Sequence, residues 1–182
     1  MPNKAIFLDR DGTINKEKNY LINIQEFDYL PYVVDSLKEL QAMGFLLIIV
    51  TNQSGIARGF YAEEEYLVFQ KWIEDDLKSK GINITKTYYC PHLESGIISE
   101  YAIDCDCRKP KLGLFYKAQK DFDIDFDGSY AIGDKERDVF IADSTGVRGI
   151  ILGEIKTDKY KTCNNWLEVV EYIKNSEKDD YE

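Results

Sequence analysis

A chain of 182 residues with 44% hydrophobic and 31% charged residues has the composition of a soluble globular protein, long enough to bury one core. It carries 23 Lys and Arg against 33 Asp and Glu, a net charge of -10 at pH 7. Such a surface repels phosphate backbones and anionic lipid, so neither nucleic acid nor membrane is an expected partner, although a local basic pocket for a small anion is compatible with it. The densest apolar run, Phe45 to Val50, is too short to cross a bilayer. A strand-like stretch begins almost at the first residue with no charged and apolar leader, so a cytoplasmic location is expected. No feature marks a dimer face, and a monomer is expected.

In chain order, short β-rich apolar runs alternate with helical periodicity, which predicts an α/β fold. The expected strands are Lys4–Leu8, Phe45–Val50, Thr85–Tyr89, Tyr130–Ile132 and Gly149–Leu152. Between them Val33, Val34, Leu37 and Leu40 make one apolar helix face, stopped at Gly44. A longer helix carries Tyr66, Phe69, Ile73 and Leu77 and ends at Gly81. Leu114 to Phe122, Arg137 to Ser144 and Trp166 to Ile173 complete the helices. The expected architecture is a doubly wound, mainly parallel five-stranded sheet with helices on both faces, a single domain over residues 1–175 and a polar tail over 176–182. In such a sheet ligands sit beyond the carboxyl ends of the strands, where strand order reverses. The residues that follow the strands are therefore the candidates.

Asp9 and Asp11 follow the first strand, and Gly12 permits the turn that lets both face one pocket. An ionised Asp9 can attack a phosphoryl group, while Asp11 protonates the leaving oxygen and later deprotonates water. Attack of a carboxylate on a phosphate dianion brings like charges together and calls for a cation. Asp9, Asp134 after the fourth strand and the backbone carbonyl of Asp11 make a set suited to Mg²⁺. Asp134 also suits a helix N-cap, and Asp138 is an outer partner of the same site. After the second strand, Thr51 and the loop Asn52-Gln53-Ser54 offer a hydroxyl and backbone N–H groups for phosphate oxygens.

Cys90, His92, Cys105 and Cys107 supply three thiolates and the chain's 1 histidine, a complete tetrahedral set for Zn²⁺. Four protein ligands leave no open position, so this zinc is expected to be structural, stiffening a loop over residues 90–109. Cys163 stands apart. Directly after the cysteines, Lys109 suits a transferring phosphoryl group as a point charge, and Arg108 suits two-pronged recognition of a second anionic group.

These residues make the sequence resemble the haloacid dehalogenase superfamily of phosphatases, and within it the family of heptose bisphosphatases and histidinol phosphatases. The matching stretches are Phe7 to Asn15, Thr51 to Gly59, Cys90 to His92, Cys105 to Pro110 and Ile132 to Lys135. The resemblance implies a Rossmann-like phosphatase with Asp9 as nucleophile, Asp11 as general acid and base, and Thr51 and Lys109 as phosphoryl stabilisers. It implies Mg²⁺ on Asp9, Asp11 and Asp134, and Zn²⁺ on Cys90, His92, Cys105 and Cys107. Substrate contacts are implied for Glu17, Lys18, Asn19, Tyr20, Thr51, Asn52, Gln53, Ser54, Arg108, Lys109 and Lys135.

The implied substrate is a small sugar bisphosphate, a heptose 1,7-bisphosphate losing its C7 phosphate through an aspartyl phosphate in bacterial ADP- or GDP-heptose synthesis. Histidinol phosphate is the alternative substrate, although the Gln53 to Gly59 loop looks more like the heptose group. A non-catalytic, zinc-stabilised interaction module is a third reading, opposed by the intact Asp9, Asp11, Lys109 and Asp134. The gaps before the first helix and between the third strand and Lys109 are too short for a separate cap domain, so loops are expected to roof the site.

Overall fold

The computed structural model describes residues 1–179. Its sheet has six strands, β1 (Ala5–Leu8), β2 (Leu46–Asn52), β3 (Ile84–Cys90), β4 (Tyr130–Gly133), β5 (Arg148–Leu152) and β6 (Lys161–Cys163), in the order β3-β2-β1-β4-β5-β6. Every neighbouring pair is parallel. The expectation of five strands is corrected by β6, which pairs Cys163 with Leu152 at the sheet edge. Its three residues, Lys-Thr-Cys, contain no apolar run for periodicity to detect.

The helices are α1 (Val33–Ala42), α2 (Glu63–Ser79), α3 (Gly113–Phe122), α4 (Glu136–Val139) and α5 (Trp166–Asp179). The expected Arg137–Ser144 helix is only one α-turn before the chain tightens into a 3-10 turn at Phe140–Asp143. At the other end, α5 runs past the expected boundary at 175 and includes residues 176–179, while 180–182 lie outside the described residues. No helix among the described residues is long and apolar enough to cross a membrane.

Strand alternation decides which face each side chain serves. Ile6 and Leu8 of β1 join Leu37 of α1, Phe69 of α2 and Trp166 of α5 in one core cluster. Ala5 and Phe7 join Phe115 of α3 and Val139 of α4 in the other. Both faces are thus covered, which is why the strands read as continuous apolar runs instead of alternating ones. Burying these faces supplies the main driving force for the fold.

The order of strands places the reversal between β1 and β4. Their ladder extends one step past Leu8, through a 3.0 Å hydrogen bond from the Asp9 N–H to the Ile132 carbonyl. A second extension, Gln53 N–H to the Cys90 carbonyl at 2.7 Å, holds the loop after β2 beside the end of β3. Segments 14–32 and 91–112 contain no helix beyond the 3-10 turn Ile24–Glu26, so the crevice is walled by loops. On the far side Trp166, 1% exposed, donates its indole N–H to the Thr13 carbonyl at 2.8 Å and so ties α5 to the loop after β1. Trp166→Ala is expected to cost about 3–5 kcal/mol of stability, read as a lower urea midpoint. Trp166→Phe, which keeps most of the packing and loses the hydrogen bond, should cost about 1 kcal/mol.

Candidate active site

Asp9 projects from the end of β1 at the point where the strand order reverses. Its carboxylate receives the Lys109 ammonium at 2.9 Å. Lys109 is 2% exposed and also donates to the Val50 carbonyl at 2.6 Å and lies 2.8 Å from Asp138. Burial works against the ammonium charge, but Asp138 and Asp9 outweigh it and hold Lys109 above its ordinary value. The Asp9 carboxyl moves the other way. Burial first, then repulsion from Asp138 and Asp134, pushes it up to about 7 despite the lowering influence of Lys109.

Asp9, Asp134 and Asp138 bring carboxylate oxygens within 4.8 Å of one another, an arrangement suited to a hard divalent cation. A specific orphan supports that fit. The Asp134 Oδ1 atom is buried and has no hydrogen-bond partner among the described residues, a costly state unless a cation meets it. Gly12 is required beside it: its φ is +83°, and a Cβ there would lie 2.4 Å from the Asp134 Oδ2 atom.

Asp11 stands apart from that carboxylate group. Arg10, fully buried between the rings of Tyr66 and Phe69, donates to both of its oxygens, at 2.9 Å to Oδ2 and 3.1 Å to Oδ1. Asn15 donates to Oδ1 at 3.0 Å, and Gln53 to Oδ2 at 3.1 Å. The Gln53 amide also donates to the Thr51 hydroxyl at 2.9 Å and accepts from Tyr61 at 2.9 Å. Asn52 makes a reciprocal pair with the backbone of Lys109, accepting its N–H at 2.9 Å and donating to its carbonyl at 3.1 Å. The end of β2 therefore sets the position of the lysine across the crevice.

These groups open into a cavity of about 280 Å³. Of the residues expected at the substrate, Glu17, Asn19, Tyr20, Thr51, Asn52, Gln53, Ser54, Arg108 and Lys135 line it. Lys109 lies under its floor, bonded to Asp9. Lys18 does not join them, because its ammonium is bound to the Glu26 carbonyl. Arg58, Tyr61 and Arg137 also line the cavity and escaped the sequence reading as site residues. Arg58 lies inside the TNQSGIARG stretch, which was a usable signal, whereas Arg137 had none beyond following Asp134. Burial, then the nearby Arg137 and Arg58 charges, lower the Arg108 value. Three arginines with no ion-pair partner among the described residues make a rim suited to an anion.

The four expected zinc ligands also converge. Cys90 Sγ lies 3.0 Å from Cys107 Sγ, 3.6 Å from Cys105 Sγ and 3.6 Å from the His92 Nδ1 atom. The Nδ1 atom is 3.3 Å from Cys107 Sγ. These separations approach the edges of a tetrahedron with metal–sulfur bonds of about 2.3 Å. Its hydrogen bond with Cys90, against the effect of burial, draws the Cys107 thiol down to about 5, in keeping with a thiolate ligand.

A family model described as polynucleotide kinase 3 phosphatase matches residues 4–182. The chain is 44% identical over 144 residues to a D-glycero-alpha-D-manno-heptose-1,7-bisphosphate 7-phosphatase of Photorhabdus laumondii, covering 79% of each chain. It is 41% identical over 184 residues to the D-glycero-beta-D-manno-heptose-1,7-bisphosphate 7-phosphatase of Haemophilus ducreyi, covering 95% of this chain and 100% of that one. Its structure matches the D,D-heptose 1,7-bisphosphate phosphatase of B. bronchiseptica, solved with magnesium and phosphate, at a TM-score of 0.79 and 25% identity over 95% of this chain and 99% of that one. A carboxylate-bearing loop at the switch point of this parallel sheet, together with these likenesses, defines a phosphatase of the haloacid dehalogenase superfamily. The chain belongs to this phosphatase family, on the branch of the D-glycero-D-manno-heptose-1,7-bisphosphate 7-phosphatases.

The raised Asp9 value has a measurable sign. A carboxyl raised on folding makes the metal-free fold lose stability as pH rises from the ordinary carboxylate range through about 7. A cation must displace that proton, so Mg²⁺ affinity should climb as pH rises towards 7 and level off above it. Calorimetric titration on either side of that value, in buffers of different ionisation heat, should show proton release only on the acid side.

Proposed function

We propose that the chain removes the C7 phosphate of D-glycero-D-manno-heptose 1,7-bisphosphate through an aspartyl phosphate on Asp9, serving bacterial ADP- or GDP-heptose synthesis. The observation that carries this reading is the two-ended cavity. Its floor holds Asp9 with Lys109 beneath, and its rim holds Arg58, Arg108 and Arg137. A small substrate with a phosphate at each end matches that polarity, and the relatives are named for such a substrate. The family description mentions polynucleotide, but a net charge of -10 and a loop-walled cavity favour a small bisphosphate over a phosphate backbone.

In the proposed reaction an Asp9 oxygen attacks the phosphorus of the C7 phosphate, and the bond from phosphorus to the sugar oxygen breaks. Asp11 delivers a proton to that oxygen, then takes one from the water that cleaves the aspartyl phosphate. Thr51 and Lys109 hold the phosphoryl oxygens as charge develops on them. Arg108, with Arg58 and Arg137 beside it, holds the distal phosphate, and Lys135, Glu17, Asn19, Tyr20 and Ser54 contact the sugar and its phosphates. Mg²⁺, held by Asp9 and Asp134 with the backbone carbonyl of Asp11, would neutralise the repulsion between the carboxylate and the phosphate dianion. Asp138 supports this site through its ion pair with Lys109.

Zn²⁺ on Cys90, His92, Cys105 and Cys107 would have a structural role, fixing the segment that delivers Arg108 and Lys109. Stripping it with a chelator should speed protease cleavage within residues 90–109 severalfold and weaken substrate binding. Equal cleavage with and without chelator would remove the zinc from this account.

Asp9→Asn should lower kcat by at least about 10³-fold while the fold is kept. Phosphate release from both anomers of heptose 1,7-bisphosphate, beside histidinol phosphate, tests the substrate. Higher kcat/KM on a heptose bisphosphate is the expected result, and a preference for histidinol phosphate would overturn the substrate and leave the chemistry standing.

A further inference from the structure

We propose that Tyr61 is a positioning residue whose hydroxyl fixes the rotation of the Gln53 amide, and that this amide holds Asp11 and Thr51 in register for phosphoryl transfer. The proposal rests on the reading of Asp11 as general acid and base and of Thr51 as a phosphoryl clamp.

The terminal torsion of a glutamine is soft, so nothing intrinsic to Gln53 sets which way its amide faces. Three neighbours set it here, the buried Thr51 and Tyr61 and the partly buried Asp11. On one side the Asp11 Oδ2 atom, 3.1 Å away, accepts and cannot donate while ionised, so it requires the NH₂ end. The Thr51 hydroxyl takes the second N–H of that same NH₂ group at 2.9 Å. On the other side Tyr61 donates its hydroxyl proton to the Gln53 carbonyl oxygen at 2.9 Å. Turning the amide over would set a carbonyl oxygen against the carboxylate, and Tyr61 would have to accept from the NH₂ in place of donating.

The arrangement gives each partner a direction. Because Thr51 accepts from Gln53, its own proton, directed only at the Asn52 carbonyl 3.5 Å away, can turn to a phosphoryl oxygen. Because Gln53 and Arg10 both donate to Oδ2, and Arg10 and Asn15 to Oδ1, the Asp11 carboxylate is gripped along both of its edges. One amide thus links the group that handles the proton to the group that clamps the phosphoryl.

Tyr61 is anchored independently of its hydroxyl. Its ring is 6% exposed and packs with Ile56 and Tyr66 in a small separate core cluster. Gly55 makes room for it, since a Cβ there would lie 2.5 Å from the Tyr61 ring. Removing the hydroxyl alone should therefore leave the ring in place and free the amide.

The experiment compares wild type and Tyr61→Phe, with selective ¹⁵N labelling of glutamine side chains and kinetics on heptose 1,7-bisphosphate. The Gln53 amide signal is assigned by its disappearance in Gln53→Leu. Tyr61→Phe should collapse the separation of the two Gln53 amide protons and lower kcat about 10-fold, with KM changed less than about twofold. An unmoved Gln53 signal overturns the relay, as does an unchanged kcat or a loss confined to KM. The two ideas fail separately. If wild type turns over the substrate and the Gln53 signal does not move, the relay alone is wrong. If the signal moves in Tyr61→Phe while wild type hydrolyses no sugar phosphate, the relay stands as geometry and the catalytic reading beneath it falls.

Discussion

The whole site is organised around one buried cation. An ammonium taken out of water costs several kcal/mol unless charges and acceptors replace its hydration. Lys109 meets that requirement with Asp9, Asp138 and the Val50 carbonyl, and its backbone is fixed by Asn52. Four parts of the chain therefore have to meet at one nitrogen: the ends of β1 and β2, the segment after the cysteine cluster, and the first turn of α4. Removing any one carboxylate would leave the ammonium underpaired, and removing the lysine would leave two acids facing each other. This mutual dependence explains how a carboxylate can be kept at a buried switch point.

Above that floor the charge changes sign. The protein is acidic overall, at -10, yet the rim of its cavity gathers Arg58, Arg108 and Arg137. The outer surface turns away long polyanions, and the rim accepts a small one. The acidic floor would repel any phosphate by itself, so it needs Lys109 and a divalent cation before a phosphoryl group can settle against Asp9. Affinity at one end of a two-ended substrate can thus serve positioning at the other.

Much of this was legible in the sequence, for physical reasons. Buried parallel strands read as apolar runs, and polar residues directly after them stood out as Asp9, Thr51, Cys90 and Asp134. The cysteine and histidine spacing announced a cluster because metal ligands are rare and specific residue types. The signal failed where it had no periodicity or distinctive chemistry. β6 is three residues long, and α4 gives way to a 3-10 turn inside one helical pattern. The tertiary side-chain partners were invisible for another reason. The grip of Arg10 on Asp11, the bond from Arg10 to the Gln70 carbonyl oxygen and the Asn52–Lys109 pair are set by packing between distant segments. The bond from Lys18 to the Glu26 carbonyl was beyond reach for the same reason, since a charge in a loop can turn either way.

The central place of β1 has a consequence for how activity arises. The first strand of the chain is flanked in the finished sheet by the second and the fourth. Asp9 at its end reaches Asp134 and Asp138 only after a long loop has closed, the slow kind of contact in folding. A nascent chain that has emerged only as far as β3 can pair β1 with β2 but still lacks Lys109, the counter-charge of Asp9, and the two carboxylates that complete the cluster. The carboxylate cluster is therefore assembled only when β4 closes against β1, and a chain short of that step is not a partly active one.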